Sequence, residues 1–236
     1  MSQDDNEQNL WYTENLNVGQ IFCPSKQKNG KHLEETREYK KGEYIYLPGE
    51  AADSIYFISS GRVKVGHYAK SGKEITKAIL DEGELLGELA STSEDEKRRD
   101  FAQAMSATTL CVMTRKEMKE MMREHSGFST FLMRIFASRI LKMEKRLESL
   151  VFKDSRTRIV EFLLELTEEK GERVGYEWVV RKFLTHQEIA NLTATSRQTV
   201  TTVLNDLKND DILTFDRRRL LIRDLDRLKA ENGEQE

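Results

Sequence analysis

Residues 185–209 constrain the fold more than any other stretch, because two helix starts lie close together in them. Residues 185–188 read Thr-His-Gln-Glu, a capping box in which the threonine hydroxyl and the glutamate carboxylate satisfy each other's backbone N–H groups. Residues 195–198, Thr-Ser-Arg-Gln, form a second box and predict a second helix start. Only residues 193–194 remain for a turn between them. The stretch therefore predicts two short helices joined tightly, the helix-turn-helix pattern.

The second predicted helix has one apolar face and one polar face. Its apolar residues recur at helical spacing and are Val200, Val203, Leu204 and Leu207. Its polar residues are Ser196, Arg197, Gln198, Thr201, Thr202 and Asn205. Arginine pairs with O6 and N7 of guanine, glutamine pairs with N6 and N7 of adenine, and threonine bonds a phosphate or touches a thymine methyl. The helix fits either a reader of the DNA major groove or an ordinary hairpin with a solvated face.

Length and composition describe a globular chain of one large or two modest domains, with 236 residues of which 33% are charged and 38% hydrophobic. The N-terminus lacks the basic and apolar regions of a signal peptide. No apolar run approaches the roughly 20 residues that span a membrane. We expect a cytoplasmic protein without a membrane span. Cys23 and Cys111 form no metal-binding pattern and are expected to be free thiols.

The charge balance gives no general sign of nucleic-acid binding, since the formal net charge is −3 and the pI about 6.0. From Asp154 to the end, 14 Lys and Arg face 17 Asp and Glu. Any surface that binds DNA must therefore be a local basic patch. Arg197, Lys208 and residues 217–219 are the candidates.

Short apolar or alternating runs between about residues 34 and 113 predict β-strands. The runs cover residues 44–46, 54–58, 63–68 and 75–79. Glycine-containing turns separate them, and Gly49, Gly61, Gly72 and Gly83 recur at steps of 12, 11 and 11 residues. Short strands at this spacing predict an antiparallel sandwich or roll.

A long helix is predicted from about residue 127 to 152, after a short helix that begins with a capping box at residues 114–117. Six residues of the long helix form an a/d stripe at spacings 3, 4, 3, 4 and 3: Met133, Phe136, Ile140, Met143, Leu147 and Leu150. The stripe predicts a dimer seam, since a major-groove reader of this size usually works as a symmetric pair. The alternative is a helix packed on its own domain, which Leu132 and Ile135 would serve.

Residues 154–157 break the long helix, and either Asp154 or Ser155 caps the next one, which Gly171 and Gly175 interrupt. A strand pair is predicted within residues 177–184. After the helix-turn-helix, residues 212–215 and 220–222 flank residues 216–219 and predict a β-hairpin wing. The arginines of this wing either contact phosphate or form a solvated turn.

These features together resemble the Crp/Fnr family of bacterial transcription regulators over about residues 34–225. The resemblance rests on the glycine-punctuated roll, the Gly87-Glu88-Leu89 motif, the long helix, the break at Asp154 and residues 196–200. It implies an α+β fold with promoter DNA and RNA polymerase as partners of a homodimer. The implied parts are a flexible arm (1–16), an antiparallel β-roll of the cyclic-nucleotide-binding type (17–126), a dimerisation helix (127–153) and a winged helix-turn-helix domain (154–236).

The resemblance also implies which residues contact DNA. The family reads bases with an Arg, the following Glu or Gln, and residues one turn later, which correspond to Arg197, Gln198, Thr201 and Thr202. Cyclic-AMP-responsive members have an Arg where this chain has Thr202, so the half-site is expected to differ at that base. The full expected contact set is Thr185, Thr195, Ser196, Arg197, Gln198, Thr201, Thr202, Arg217, Arg218 and Arg219.

For an effector, the resemblance implies a pocket built from Gly87, Glu88, Leu89, Arg98, Arg99, Met143 and Glu144. In cyclic-nucleotide binders the glutamate accepts from the ribose and an arginine ten residues later pairs with the phosphate, and Glu88 and Arg98 have that separation. The family's purine contacts fall on Met143 and Glu144, which do not preserve them. Three cases stay open: cyclic AMP, another small or phosphorylated effector, and no ligand, with Glu88 paired to Arg98 or Arg99.

Other chemistries have weaker support in the sequence. A single N-terminal cysteine cannot bind an iron–sulfur cluster, and His67 and His125 are expected to be surface residues rather than haem ligands. The chain lacks a nucleophile–base motif, a P-loop and metal-ligand spacing, so no enzyme and no metal are predicted. The alternative function is an effector-sensing protein whose helix-turn-helix docks a protein partner instead of DNA.

Overall fold

The computed structural model describes residues 12–13, 16–17, 35–70, 72, 74–88, 97–124 and 126–233. They fall into two compact units, the first up to Ile140 and the second from Leu141. Within these ranges no helix combines the length and the apolar character that a membrane crossing requires.

The first unit is built mainly from antiparallel strands. Its strands are β1 (Tyr12–Thr13), β2 (Leu16–Asn17), β3 (Glu35–Tyr39), β4 (Tyr44–Tyr46), β5 (Ser54–Ser60), β6 (Arg62–Tyr68), β7 (Glu74–Asp81), β8 (Leu85–Leu86), β9 (Phe101–Ala104) and β10 (Thr108–Thr114). One sheet has the order β3-β10-β5-β8 and another has the order β4-β9-β6-β7. Strands β1 and β2 pair with each other. The predicted antiparallel roll is confirmed.

Alternation along two central strands divides the core of this unit in two. On β5, Tyr56 and Ile58 join a cluster that also includes Val63 and Val65 from β6, in the other sheet. Successive side chains of a strand point to opposite faces, and Ile55 and Phe57 accordingly belong to a second cluster. Strand β10 divides in the same way, with Leu110 and Val112 in the first cluster and Cys111 and Met113 in the second.

Two helices cover the second cluster. They are α1 (Arg115–Glu124) and the long α2 (Ser126–Phe152). Reciprocal bonds between Thr114 and Glu117 confirm the predicted capping box of α1. Leu132 is buried in this cluster and Ile135 packs against it, which confirms that the start of α2 packs on its own domain.

The four recurring glycines all have positive φ, as the turn prediction requires: Gly49, Gly61, Gly72 and Gly83. At Gly61 there is also no room for a side chain. A Cβ built there would lie 2.4 Å from Oγ1 of Thr108 and 2.6 Å from the main-chain oxygen of Ala107. The β5–β6 turn therefore depends on glycine for both its φ angle and its close contact with the chain before β10.

The second unit combines helices with a four-stranded antiparallel sheet. Its elements are α3 (Ser155–Lys170), β11 (Gly171–Val174), β12 (Glu177–Arg181), α4 (His186–Thr193), α5 (Arg197–Asn209), β13 (Leu213–Phe215), β14 (Arg219–Ile222) and α6 (Leu225–Glu231), with the C-terminal part of α2. The sheet order is β11-β12-β14-β13. Asp154 caps α3 by accepting from the N–H of Thr157, as predicted.

Two details of this unit differ from the sequence prediction. The predicted strand pair within residues 177–184 is wrong, because β12 pairs with β11 at residues 171–174, directly after α3. Helix α6 is not predicted from the sequence, although it has a recognisable signal. Its signal was Asp224, which caps the helix by accepting from the N–H of Arg227 and precedes the buried Leu228.

The cysteines also require a correction. Cys111 lies on β10, is 2% exposed and is disulfide-bonded, so the expectation of a free thiol is wrong at this position. Cys23 lies outside the described residues.

Candidate nucleic-acid interface

The first helix of the hairpin, α4, begins at a complete capping box. The hydroxyl of Thr185 accepts from the N–H of Glu188, and the Glu188 carboxylate accepts from the N–H of Thr185 over 2.7 Å. The same hydroxyl donates to that carboxylate over 2.8 Å. The role that the structure gives Thr185 is thus to start α4.

Two arginines hold the C-terminal end of α4. Arg146, on α2, donates to the main-chain oxygen of Leu192. Arg158, on α3, donates to the main-chain oxygen of Thr193 over 3.0 Å. Ala194 follows in the left-handed conformation with φ 52° and ψ 43°. Because cations favour helix C-termini, these contacts stabilise the end of α4 and fix the turn.

The second helix begins one residue later than predicted. The cap of α5 is Ser196, whose hydroxyl accepts from the N–H of Thr199 over 3.0 Å. Thr195 lies in the turn, where its hydroxyl lies 2.9 Å from that of Thr193. The prediction of Thr195 as the cap is therefore wrong, because the chain needs both Ala194 and Thr195 to complete the turn.

The two faces of α5 are as predicted from its spacing. Val200, Val203, Leu204 and Leu207 are buried, and Ser196, Arg197, Gln198, Thr202 and Asn205 are exposed. In the part of the chain that the structure describes, the side chains of Arg197, Gln198 and Thr202 make no hydrogen bond or ion pair. They are therefore available to a partner without breaking an internal bond.

Thr201 differs from these residues because it is half-buried and bonded within the protein. Its Oγ1 donates to the main-chain oxygen of Arg197 over 2.9 Å and lies 2.8 Å from Nδ1 of His186, the first residue of α4. Burial lowers the pKa of His186, and the charge of Arg197 lowers it further. His186 is not predicted from the sequence, since no local pattern connects it to a residue 15 positions away.

The wing forms as predicted, from β13 and β14. Asp216 closes its turn by accepting from the N–H groups of Arg218 and Arg219, over 2.7 and 3.0 Å. The side chain of Arg219 pairs with the same carboxylate over 3.2 Å. Among the described residues, the side chains of Arg217 and Arg218 have no such partner and are exposed. The wing therefore presents two free guanidinium groups and a third that is paired.

Two of the predicted effector residues of the first unit, Arg98 and Glu88, form hydrogen bonds or ion pairs with other groups of the same unit. Arg98 is 5% exposed and donates to the main-chain oxygens of Gly87 and Ser54, over 3.1 and 2.5 Å. Its guanidinium lies 4.3 Å from the ring centroid of Tyr46. Glu88 forms an ion pair with Arg139 of α2. Among the described residues, the buried Nε of Arg98 is left without a hydrogen-bond partner.

The approach of Arg98 explains the glycine of the Gly-Glu-Leu motif. Gly87 has φ +79°, and a Cβ there would lie 2.7 Å from Nη1 of Arg98. A side chain at this position would displace the guanidinium group. Leu89 lies outside the described residues.

The structure does not bring the remaining predicted effector residues together in one unit. Met143 and Glu144 are exposed and belong to the second unit, while Arg99 belongs to the first. The main-chain oxygen of Arg99 lies 3.0 Å from Nδ1 of His67, and His125 lies outside the described residues. In the described ranges, no group of three or more His, Cys, Asp or Glu residues is placed to hold a metal ion.

Most of the predicted dimer stripe is exposed. Met133, Ile140, Met143, Leu147 and Leu150 are 70%, 56%, 71%, 63% and 43% exposed. Phe136 differs, because it is half-buried and packs against the core of the first unit. Large apolar side chains exposed at this density indicate a surface that another molecule covers.

Both units match family models. Residues 36–125 match the cyclic nucleotide-binding domain, and residues 157–231 match the Crp-like helix-turn-helix domain. Among solved structures, a mutant of CooA from Carboxydothermus hydrogenoformans is 27% identical in sequence, with a TM-score of 0.75 and a match that covers 98% of each chain.

Curated relatives match most of the chain in the same way. The global nitrogen regulator of Nostoc sp. is 28% identical over 185 residues, which cover 78% of this chain and 83% of that protein. The cyclic AMP receptor protein of Thermus thermophilus is 30% identical over 179 residues, or 76% of this chain and 79% of that protein. From the two domains, their order and these relatives, the chain belongs to the Crp/Fnr family of transcription regulators.

Proposed function

We propose that two copies of this chain bind promoter DNA in a sequence-specific manner, with α5 of each copy in the major groove of one half-site. Arg197, Gln198 and Thr202 contact bases, and Arg217 and Arg218 of the wing contact phosphates. The copies associate through Met133, Ile140, Met143, Leu147 and Leu150 of α2. Thr185, Thr195 and Ser196 serve mainly to start and join the helices, because each hydroxyl has a partner inside the domain.

The observation that carries this proposal is that the exposed face of α5 has polar side chains without internal partners in the described part of the chain. Arg197, Gln198 and Thr202 are unpaired side chains on a helix that is capped at Ser196 and buried along its opposite face. Base readout requires donors and acceptors that are free yet rigidly placed. A protein-docking helix, the alternative function, would not require a basic wing beside it.

Selection of preferred duplexes from a random pool tests the proposal directly. We expect a two-fold symmetric site whose half-sites are one duplex turn apart, about 34 Å between centres. Affinity for this site should exceed that for random duplex and should fall steeply with salt. Recovery of no preferred sequence would contradict the proposal and favour protein docking.

The wing is tested by the double variant Arg217→Ala/Arg218→Ala. Each phosphate contact that is lost reduces the slope of log K against log salt by about 0.9, so a dimer that loses four contacts should lose up to about 3.6. Affinity should decrease to a similar extent on specific and random duplexes, since phosphate contacts carry no sequence information.

A matched control removes two arginines from the other hairpin of the same sheet. Arg173→Ala/Arg181→Ala changes the net charge by the same amount, but Arg173 donates to the oxygen of Gly175 and Arg181 pairs with Glu172. The control should leave the salt slope unchanged. Equal slopes for both double variants would show that the wing does not contact DNA.

Three further parts of the proposal rest on the family alone. They are contact with RNA polymerase, a location in the cytoplasm and the absence of catalysis. The exposed guanidinium groups of Arg217 and Arg218 support DNA binding but give no support to these three parts.

We include in the proposal a small effector in the first unit, but the contacts of Arg98 and Glu88 do not fit a cyclic nucleotide. Arg98 is 5% exposed and each of its terminal nitrogens donates to a main-chain oxygen, so the guanidinium group is held by its own chain rather than by a cyclic phosphate. The Glu88 carboxylate, which would accept from the ribose, is paired with Arg139. A nucleotide would have to break the ion pair of Glu88 and reach an Arg98 side chain that is buried against its own chain.

We therefore expect calorimetric titration with cyclic AMP to give no saturable heat, and cyclic AMP to leave the affinity for the selected duplex unchanged. The bonds of Arg98 and Glu88 would each have to be replaced, and buried partners left unpaired cost about 1–3 kcal/mol each. The variant Arg139→Met, which removes the ion pair of Glu88 with Arg139, is the comparison. Tight binding of cyclic AMP by the unmodified chain would show that these bonds exchange readily.

A further inference from the structure

The hydroxyl of Thr201 has two partners inside the protein, and these decide how its side chain can meet a base. Oγ1 donates to the main-chain oxygen of Arg197 over 2.9 Å and lies 2.8 Å from Nδ1 of His186. A hydroxyl has one hydrogen to give. Because the Arg197 oxygen can only accept, that hydrogen goes to it, and Nδ1–H of His186 must donate to Oγ1.

With its hydrogen committed, Thr201 cannot donate to O4 of thymine, to O6 or N7 of guanine, to N7 of adenine or to phosphate. One lone pair of Oγ1 remains, and the only base groups in the major groove that it can accept from are the amino groups of adenine and cytosine. The branch of the side chain that has no polar commitment is the methyl group. In the major groove an apolar group is specific for one base, through the C5-methyl of thymine.

The contacts of His186 show that its ring is held from two sides. The ring lies edge-on to Phe215 of β13, with 5.5 Å between centroids and 65° between planes. Phe215 is also contacted by Lys208 of α5, whose Nζ lies 5.6 Å from the ring centroid. The imidazole thus links the wing strand and both helices of the hairpin, and it fixes the side chain of Thr201 within that framework.

We propose that Thr201 selects a thymine in each half-site through its methyl group, and that His186 is the positioning residue that holds Thr201 in the required orientation. This inference rests on the function proposed above, since it requires α5 to enter the major groove. It differs from a general polar role for Thr201, because it names the base and the group that reads it.

The first test uses the full chain and the duplex that it selects, with each thymine replaced in turn by deoxyuridine, which lacks only the methyl group. One symmetric pair of positions should be sensitive, with affinity falling about fourfold for each half-site, as expected for one buried methyl group. If no replacement weakens binding, the inference is overturned.

Two variants then separate the methyl group from the hydroxyl. Thr201→Val removes the oxygen but has a methyl group on both branches of the side chain, so it needs no bond to His186 to place one and should keep the preference for thymine over deoxyuridine. Thr201→Ser keeps the oxygen and removes the methyl. Its affinity ratio, the affinity for the thymine duplex divided by that for the deoxyuridine duplex, should therefore fall to about one. The reverse pattern would show that the hydroxyl reads the base, and an unchanged ratio in both variants would place the reading elsewhere. Either result overturns the inference.

The role of His186 is tested by the same ratio. His186→Ala should lower the thymine preference towards one, and His186→Gln, which restores an N–H donor, should recover part of it. His67→Ala in the first unit is the matched control and should leave the ratio unchanged. A folded His186→Ala protein with the wild-type ratio would overturn the positioning role. Failure of the wild-type chain to select any sequence would instead contradict the proposed function.

Discussion

Replacing Arg197 by alanine is expected to weaken binding to the selected duplex by about 1–3 kcal/mol for each half-site, a factor of about 5 to 150. The physical reason is the loss of a bidentate pair with O6 and N7 of one guanine. Arg197 is exposed and not paired within the described chain, so its removal costs the free protein little. Duplex selection with the variant should show a relaxed preference at one position and unchanged preferences elsewhere.

The comparison with random duplex makes this prediction specific. A base-reading arginine affects specific binding more than random binding, whereas a phosphate contact affects both to a similar extent. Arg173→Ala, on the β11–β12 hairpin, controls for the loss of one positive charge. Equal weakening of Arg197→Ala on specific and random duplexes would assign Arg197 to the phosphate backbone and remove the central element of the proposed readout.

The second large effect concerns the seam of α2. Leu147→Glu should raise the dissociation constant of the dimer by at least about 100-fold, because the seam would then bury two unpaired carboxylates at several kcal/mol each. Leu147 is 63% exposed in the single chain, so the monomer should remain folded. Sedimentation equilibrium measures the dissociation constant. As the dimer dissociates, affinity for the full symmetric site should fall. Affinity for an isolated half-site should stay unchanged.

Leu141 provides a control of the same residue type on the same helix. It is 64% exposed but lies outside the a/d register of the stripe. Leu141→Glu should therefore leave the dimer intact. If Leu147→Glu is as dimeric as Leu141→Glu, the proposed seam is not the dimer contact.

Features that depend on local chain chemistry could be predicted from the sequence. The capping boxes at Thr185 and Thr114 and the cap at Asp154 involve residues three apart, and all are present. The sequence predicts the cap of α5 one residue too early, because Thr195 and Ser196 are both good caps. The choice between them depends on the length of the turn after Ala194, which composition does not specify.

Features that depend on tertiary contacts could not be predicted. Glu88 pairs with Arg139 and Thr201 bonds His186 because folding brings their elements together, and neither pair has a sequence signature. The same holds for Phe136, which fits the a/d stripe by spacing but packs on its own domain because β-strands happen to lie beneath it. Periodicity identifies the face of a helix but not the partner that covers it.

Ala194 has a left-handed backbone conformation, so the hairpin could gain stability during evolution if this residue changed to glycine. A non-glycine residue in this conformation costs roughly 1–2 kcal/mol, which the bonds around the turn offset. Arg158 reaches both the Thr193 and Ala194 oxygens, and the N–H of Thr195 bonds the oxygen of Ala190. The single substitution Ala194→Gly would release that strain without altering α5. The stability gained in this way could offset the loss caused by new base-contacting residues on α5 that are less favourable for folding.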